Sequence, residues 1–240
     1  MSYVRTIGDD RSAFDSQALN RKIIQWGASL VGFADVTTGL AKEFRHIPRA
    51  ISLGLRHPPE ITSIIQKDGV LAYSNQFPDI DDKLLYIEKK IVTFLRLKGY
   101  RALAIPPDSD RQDPRLISRL YPLFQHKTAA TCAGLGWIGK NGLLINRQYG
   151  ARLSWATVLT DAPLTVSTDP YLKGKCGSCS KCVNICPAGA FKNEEWVREQ
   201  NTRAKIDVEG CSRQIERNHR ILGQYICGLC ILACPLGRKG

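Results

Sequence analysis

Cysteine is the residue type whose spacing in this 240-residue chain most clearly implies chemistry. Eight of the nine cysteines lie between residues 176 and 234. The first four form the pattern C-x2-C-x2-C-x3-C-P, and the last cysteine of the chain also precedes a proline. This spacing is typical of the thiolate ligands of two [4Fe-4S] clusters.

The ligands of each cluster follow from the bacterial two-cluster pattern, in which the fourth cysteine of a motif binds the other cluster. The expected first cysteine of the second motif falls at Gln224, and the remaining cysteine of this region is Cys211. The sequence therefore predicts that cluster one is bound by Cys176, Cys179, Cys182 and Cys234, and cluster two by Cys186, Cys211, Cys227 and Cys230. With this assignment, every cysteine of the region is a cluster ligand.

Disulfide bonds and two four-thiolate zinc sites are the alternatives for eight cysteines. Disulfides persist in oxidising compartments, whereas residues 1–6 lack the apolar core and cleavage site of a secretory signal. Zinc ribbons use paired C-x2-C knuckles separated by a loop. Three cysteines at two-residue gaps followed by Cys-Pro suit a cubane better, so iron-sulfur clusters in a cytoplasmic protein are expected.

Length and cysteine distribution predict two domains. A chain of 240 residues with 43% apolar residues can bury a substantial core. Residues 1–165 contain one cysteine and ordinary helix and strand patterns, whereas residues 166–240 are rich in cysteine and loops. No apolar run reaches the roughly 18–20 residues that a membrane span needs, so no membrane partner is expected.

The formal net charge of +12 and the pI near 9.4 are compatible with an RNA-binding surface. Eight thiolates around two oxidised iron-sulfur cores would carry about −4 in total, which leaves the protein basic. A solvated face that offsets the cluster charge is the alternative, and the sequence leaves both open. The basic residues between the two cysteine motifs are Arg198, Arg203, Lys205, Arg213, Arg217 and Arg220.

Hydrophobic periodicity predicts an α/β layered domain, because strand patterns alternate with helix patterns. The predicted helices are 15–29, 83–97 and a region that ends near residue 131. The predicted strands are 31–34, 50–55, 101–105, 143–146 and 153–160. A loop rich in proline and aspartate is predicted at 106–114.

A glycine-rich loop at residues 134–139 spells G-x-G-x-x-G, and with Lys140 and Asn141 it nearly spells a nucleotide phosphate loop. Phosphate loops follow a strand and open a helix. Here a helix pattern precedes the loop and a strand pattern follows it, and Asn141 replaces the Ser or Thr that holds magnesium. The loop therefore predicts a close backbone approach, either to a ligand or to a packed element of the chain, or else a simple tight turn.

Three segments together give the chain a family resemblance: residues 133–141, residues 143–146 and residues 159–164. With the cysteine array and the solitary Cys211, they resemble the epoxyqueuosine reductase family and its shorter double-cluster relatives. Weaker likeness is present at residues 31–34 and 50–53. The chain also resembles the core of reductive dehalogenases.

The resemblance implies a nitroreductase-like, corrinoid-binding domain at 1–165 followed by a small ferredoxin-like, two-cluster domain at 166–240. In the family, the clusters supply electrons to a corrinoid that removes the epoxide oxygen of a modified tRNA base. A low-potential ferredoxin or flavodoxin and tRNA are the implied partners. By position, the residues expected to lie against cobalamin are Ala133, Gly134, Leu135, Gly136, Trp137, Ile138, Gly139, Lys140 and Asn141.

The family's general acid, an aspartate ahead of the glycine loop, has no counterpart at the matching place, residues 119–127. His126, whose side chain titrates near neutrality, Asp113 and Lys140 are the candidate proton donors. Two functions are therefore kept open: a cobalamin-dependent iron-sulfur reductase acting on epoxyqueuosine in tRNA or on a related small substrate, and an electron-transfer protein without a substrate site. Cys132 is expected to be a small buried residue, and His46, His57 and His219 are expected to be structural or exposed.

Overall fold

The computed structural model describes residues 14–58, 77–105, 124–200, 205–223 and 225–237. Its helices are α1 (Ser16–Gln25), α2 (Phe77–Leu97), α3 (His126–Cys132), α4 (Lys181–Ile185), α5 (Val208–Leu222) and α6 (Leu229–Ala233). Its strands are β1 (Leu30–Asp35), β2 (Arg49–Arg56), β3 (Ala102–Ile105), β4 (Trp137–Ile138), β5 (Leu144–Ile145) and β6 (Leu153–Thr160). Single 3-10 turns lie at Thr37–Gly39 and Lys42–Phe44. The loop predicted at 106–114 lies outside the described residues.

The central sheet has the strand order β1-β2-β6-β3, and every neighbouring pair is antiparallel. β2 and β3 both oppose β6, so they run parallel to each other and are joined through α2. The alternating pattern thus correctly indicated a mixed α/β fold. β6, which lies much later in the chain, is inserted between the parallel strands β2 and β3. The three strands and α2 therefore form a split β-α-β arrangement.

One face of the sheet is covered by α1 and α2. The Asp15 carboxylate accepts a hydrogen bond from the Ala18 N–H at 2.8 Å and caps α1. Apolar residues recur on one side of α2 at helical spacing and are almost fully buried. This core contains Leu19, Ile23, Leu84, Ile87, Ile91 and Leu95 from the helices and Ile51, Leu53, Ala156 and Val158 from the sheet.

The opposite face of the sheet is covered by α3. Because successive strand residues point to opposite faces, Ala50 and Leu159 face away from α2 and pack with Ala129 and Ala133 of the α3 region. The sheet is therefore enclosed by helices on both faces. This layer places the glycine-rich loop, which starts at the end of α3, against the sheet.

The chain after β6 folds back onto the first half. The Tyr171 N–H donates to the Thr131 carbonyl at 2.9 Å, and the Arg198 guanidinium donates to both the Thr131 hydroxyl and the Tyr171 carbonyl at 2.9 Å. Farther along, α5 is capped by Asp207 and ended by Gly223, which has a left-handed φ of 74°. Within the described part of the chain, no helix is both long and apolar enough to cross a bilayer.

Candidate metal centre

The cysteines lie on two short helices and in the segments beside them. α4 contains Cys182 and is followed at its C-cap by Cys186, and α6 contains Cys230 and is followed at its C-cap by Cys234. These two helices pack against each other. All nine cysteines of the chain are free thiols of intermediate exposure.

Three thiols are electrostatic neighbours of Cys182 and form a first set of four with it. Burial raises the pKa of Cys182, and the neighbouring thiols of Cys176, Cys179 and Cys234 raise it further. Burial also raises the pKa of Cys234, and Cys176 again acts in the same direction. The four members are the residues predicted to bind cluster one.

A second set of neighbours surrounds Cys211 and Cys230. Burial raises the pKa of Cys211, with further contributions from Cys186 and Cys227. Burial, followed by the Cys227 thiol, raises the pKa of Cys230 to about 12. Thiols with raised pKa values need nearby cationic iron to become thiolate ligands. Cys182 of the first set also influences Cys230, so the two sets adjoin.

Among the described residues, no three Cys, His, Asp or Glu side chains converge closely enough to hold a single metal ion. In a [4Fe-4S] cluster each thiolate binds a different iron atom, so the four cysteine sulfurs lie farther apart than they do around a single ion. A cluster site is therefore indicated by which thiols are neighbours and not by convergence on one point. In number and type of donor, both thiol sets fit a cluster with four cysteine ligands.

The glycine-rich loop contains a strand, which the sequence pattern did not predict. β4 pairs with β5, with Trp137 opposite Ile145 and Ile138 opposite Leu144. A Cβ on Gly136 would collide with the Ile145 carbonyl, and one on Gly134, whose φ is +70°, would lie 2.9 Å from the Asp169 carbonyl oxygen. Packing within the chain therefore accounts for these glycines.

Replacement of Gly136 by alanine is expected to lower the free energy of unfolding by about 1–3 kcal/mol, since the new methyl group overlaps backbone that cannot rotate away. Urea denaturation followed by circular dichroism under anaerobic conditions measures this loss. Gly39→Ala is the control, because its methyl group would meet only the Thr128 side-chain methyl, at 3.0 Å. Equal stability of the two variants would contradict the packing explanation.

Side chains of the loop reach the cysteine segments. The Trp137 indole N–H donates to Cys176 Sγ at 3.5 Å, and the Lys140 ammonium donates to the Gly177 carbonyl at 2.7 Å. The Asn141 amide donates to the Cys230 carbonyl at 3.4 Å. Both Lys140 and Asn141 are buried. Three residues predicted to face a cofactor thus position the segments that carry the thiols.

Arg152 is a second link between the two halves, and sequence reasoning missed it. Its buried guanidinium donates to the carbonyls of Leu236 at 2.6 Å and of Leu232 and Cys234 at 3.2 Å. These carbonyls lie at the end of α6 and just after it. A charged residue directly before the largely apolar β6 is the sequence signal that could have found it.

The candidate proton donors lie in different places. His126 is buried at the start of α3, and its Nδ1 lies 2.9 Å from the Thr157 hydroxyl of the sheet. The Thr157 N–H donates in turn to a carboxylate oxygen of buried Glu88 at 3.2 Å. Lys140 contacts the cysteine segment, and Asp113 lies outside the described residues. A catalytic role for any of the three remains a prediction.

His57 is buried, as expected for a structural histidine, and its Nε2 lies 3.1 Å from the Ser154 hydroxyl. Burial, and then the nearby Arg152 guanidinium, lower the pKa of His57 to about 4. In the folded protein this ring is therefore neutral at mildly acidic pH. The unfolded chain, with an ordinary histidine pKa near 6.5, takes up a proton there.

His57 is therefore expected to make stability fall as pH decreases from about 6.5 towards 4, because only the unfolded state gains a proton in this window. Between pH 7.5 and 5.5 the free energy of unfolding should fall by about 1 kcal/mol on account of this residue. Anaerobic urea titrations at both pH values measure the change. His57→Gln should flatten this dependence, whereas exposed His46→Gln should retain it, and an unchanged slope in His57→Gln would contradict the prediction.

Several basic residues between the cysteine motifs are engaged within the chain. Arg198 binds Thr131 and Tyr171, and Lys205 donates to the Gln200 side chain at 2.9 Å. Arg213 lies 3.8 Å from the Asp207 carboxylate and 3.7 Å from the Glu209 carboxylate. These contacts favour a structural role for much of this charge over a continuous RNA-binding surface.

Comparison with known proteins gives one family match within the chain. Residues 175–237 match the model of the 4Fe-4S double cluster binding domain. This range contains all eight cysteines of the two thiol sets. The iron-sulfur interpretation of the cysteine spacing is thus supported independently of the structure.

Curated relatives named epoxyqueuosine reductase match part of the chain. The protein of Synechocystis sp. is 41% identical over 144 residues, which cover 54% of this chain and 46% of that protein. The protein of Pseudomonas aeruginosa is 33% identical over 115 residues, covering 47% of this chain and 31% of that protein. The chain thus spans less than half the length of these relatives. They confirm the predicted resemblance to the epoxyqueuosine reductase family.

Solved structures share the fold over nearly the whole chain. A catabolic reductive dehalogenase superposes with a TM-score of 0.68 at 19% identity, covering 97% of this chain and 34% of that one. An epoxyqueuosine reductase with an epoxyqueuosine-modified tRNA stem loop superposes with a TM-score of 0.54 at 17% identity, covering 94% of this chain and 67% of that one. The fold described above is therefore shared with both kinds of enzyme.

Proposed function

We propose that this protein is an iron-sulfur oxidoreductase that binds two [4Fe-4S] clusters and delivers single electrons to a substrate site in its α/β part. The observation that carries the proposal is the array of eight cysteines, all of which lie within the match to the 4Fe-4S double cluster binding domain. Cluster one would be bound by Cys176, Cys179, Cys182 and Cys234, and cluster two by Cys186, Cys211, Cys227 and Cys230.

The position of the first set supports electron transfer from the second thiol set, through the first, towards the α/β part of the chain. Cys176 and Cys234 pack with Trp137, Ile145 and Ala151, which belong to the α/β part of the chain. The second set includes Cys211 of α5, a helix with an exposed charged side. Bound clusters supply single electrons at low potential. A ferredoxin or flavodoxin is the class of partner that would deliver them.

A corrinoid is the proposed electron acceptor, and this part of the proposal depends on the resemblance to epoxyqueuosine reductases and reductive dehalogenases. Bound cobalamin would supply a strongly nucleophilic cobalt for reductive removal of oxygen. Leu135, which is half-buried, is the loop side chain available for contact with it. Atoms of Asp169 and Ile145 fill the space beside Gly134, Gly136 and Gly139, so these three glycines do not form a corrinoid cradle.

Epoxyqueuosine in tRNA, or a related small substrate, is the proposed substrate. The alternative is an electron-transfer protein that passes electrons to a separate acceptor. The packing of the glycine loop favours this second function, since Gly134, Gly136 and Gly139 are each explained by close contacts within the chain.

The decisive experiment is metal analysis with a visible spectrum, on protein purified without oxygen from cells given cobalamin. About eight iron atoms and one cobalt per chain would support the corrinoid reductase. Turnover of epoxyqueuosine tRNA, with binding that weakens as salt rises, would then support the tRNA substrate. Eight irons without cobalt, and no binding of added cobalamin, would favour the electron carrier. Two zinc atoms and little iron would overturn both functions.

A further inference from the structure

The two thiol sets lie in different electrostatic surroundings. At the predicted ligands of cluster one, the Trp137 indole N–H donates to Cys176 Sγ at 3.5 Å. The buried Arg152 guanidinium donates to the Cys234 carbonyl at 3.2 Å, and Cys234 packs with buried Trp137 and Ala151. Hydrogen-bond donors and a buried cation thus converge on this set.

The surroundings of the second set have the opposite character. One backbone donor, the Ala190 N–H, lies 3.5 Å from Cys186 Sγ. The Asp207 carboxylate caps α5, and the Asp207 carbonyl accepts the Cys211 N–H at 3.1 Å, so this carboxylate lies within one helical turn of Cys211. Arg213 reaches Asp207 at 3.8 Å, but more than half of each side chain is exposed, so solvent screens this pair.

Reduction of a [4Fe-4S] cluster adds one negative charge, so donors and cations near the sulfurs raise the reduction potential and a carboxylate lowers it. We propose that Trp137 and Arg152 hold the potential of cluster one above that of cluster two, where Asp207 acts in the opposite sense. This inference rests on the proposed binding of two clusters. It assigns tuning roles to residues that do not bind iron.

The potential order sets the direction of transfer inside the molecule. With both clusters bound, one electron would pass from reduced cluster two, which would return to its oxidised state, to oxidised cluster one. A one-electron donor protein of the ferredoxin or flavodoxin class reduces cluster two again. Electrons would therefore collect at the cluster that lies against Trp137 and Arg152.

A redox titration followed by electron paramagnetic resonance tests the proposal, with dithionite as the reductant. Two one-electron waves are expected in the native protein. Trp137→Phe removes the indole donor and keeps an aromatic ring. The ratio of oxidised to reduced cluster one should rise about tenfold at a given potential, so the higher-potential wave should move about 59 mV more negative for one electron. Trp155→Phe is the matched control, since Trp155 packs against a separate group of apolar side chains, formed by Ala130, Ile138, Leu144 and Trp196.

Asp207→Asn provides an independent test. Asparagine retains an acceptor for the Gly210 N–H and so keeps the helix cap, while the charge near Cys211 is removed. The lower wave should then move to a more positive potential. The proposal is overturned if Trp137→Phe shifts the lower wave, if both variants shift the same wave, or if neither differs from Trp155→Phe. Fewer than about eight irons in the native protein would instead overturn cluster binding itself.

Discussion

The Cys211→Ala protein is expected to contain about four iron atoms per chain in place of about eight, because it loses one of the four ligands of cluster two and none of cluster one. Cys211 lies in α5, away from the C-x2-C motifs, and its thiol has Cys186 and Cys227 as neighbours. Iron analysis and electron paramagnetic resonance on anaerobically purified protein measure the loss. The remaining signal should be that of a single cluster without coupling to a second.

Cys132→Ala is the matched control for the loss of a thiol. Cys132 ends α3 and packs against the apolar group that contains Ala34, Ala50 and Leu159. Burial raises the pKa of its thiol, as is usual for a structural cysteine. This variant should keep about eight irons. Full iron content in Cys211→Ala, together with a loss in Cys132→Ala, would contradict the ligand assignment.

Local patterns predicted most elements of the fold, whereas their arrangement depended on distant partners. The strand patterns of β2 and β6 can be recognised in the sequence alone, and both strands lie within a residue or two of the predicted bounds. The insertion of β6 between β2 and β3 is not visible there, because it depends on pairs such as Ile51 with Val158. α2 begins at Phe77, six residues before the predicted helix, since its first turn lacks a periodic apolar pattern.

In the candidate site, too, the local features could be predicted from the sequence and the long-range contacts could not. Ligand spacing is a local property, so the cysteine motifs could be recognised directly, and Cys211 followed by elimination. The contacts of Trp137 and Arg152 join residues 39 and 84 positions apart, which no local pattern encodes. The glycine loop spelled a ligand-binding motif, but Gly136 is required by the carbonyl of Ile145 on the paired strand.

The Arg152→Ala protein is expected to lose about 3–5 kcal/mol of its free energy of unfolding, together with much of its iron. One buried guanidinium donates to the carbonyls of Leu232, Cys234 and Leu236, and each loses a charge-assisted hydrogen bond in the variant. Since Cys234 is a predicted ligand of cluster one, disorder of this segment should release that cluster first. Anaerobic urea denaturation and iron analysis measure the two losses.

Two further arginine variants separate this effect from a simple change of charge. Arg152→Lys keeps the positive charge but not the planar fork that reaches several carbonyls, so an intermediate loss of stability is expected. Arg101→Ala removes an arginine whose side chain is 68% exposed and lies 3.9 Å from the Asp161 carboxylate. Its effect should stay within about 0.5 kcal/mol, as is usual for surface pairs. If Arg152→Ala and Arg101→Ala unfold at the same urea concentration and retain the same iron, Arg152 does not hold the two halves together.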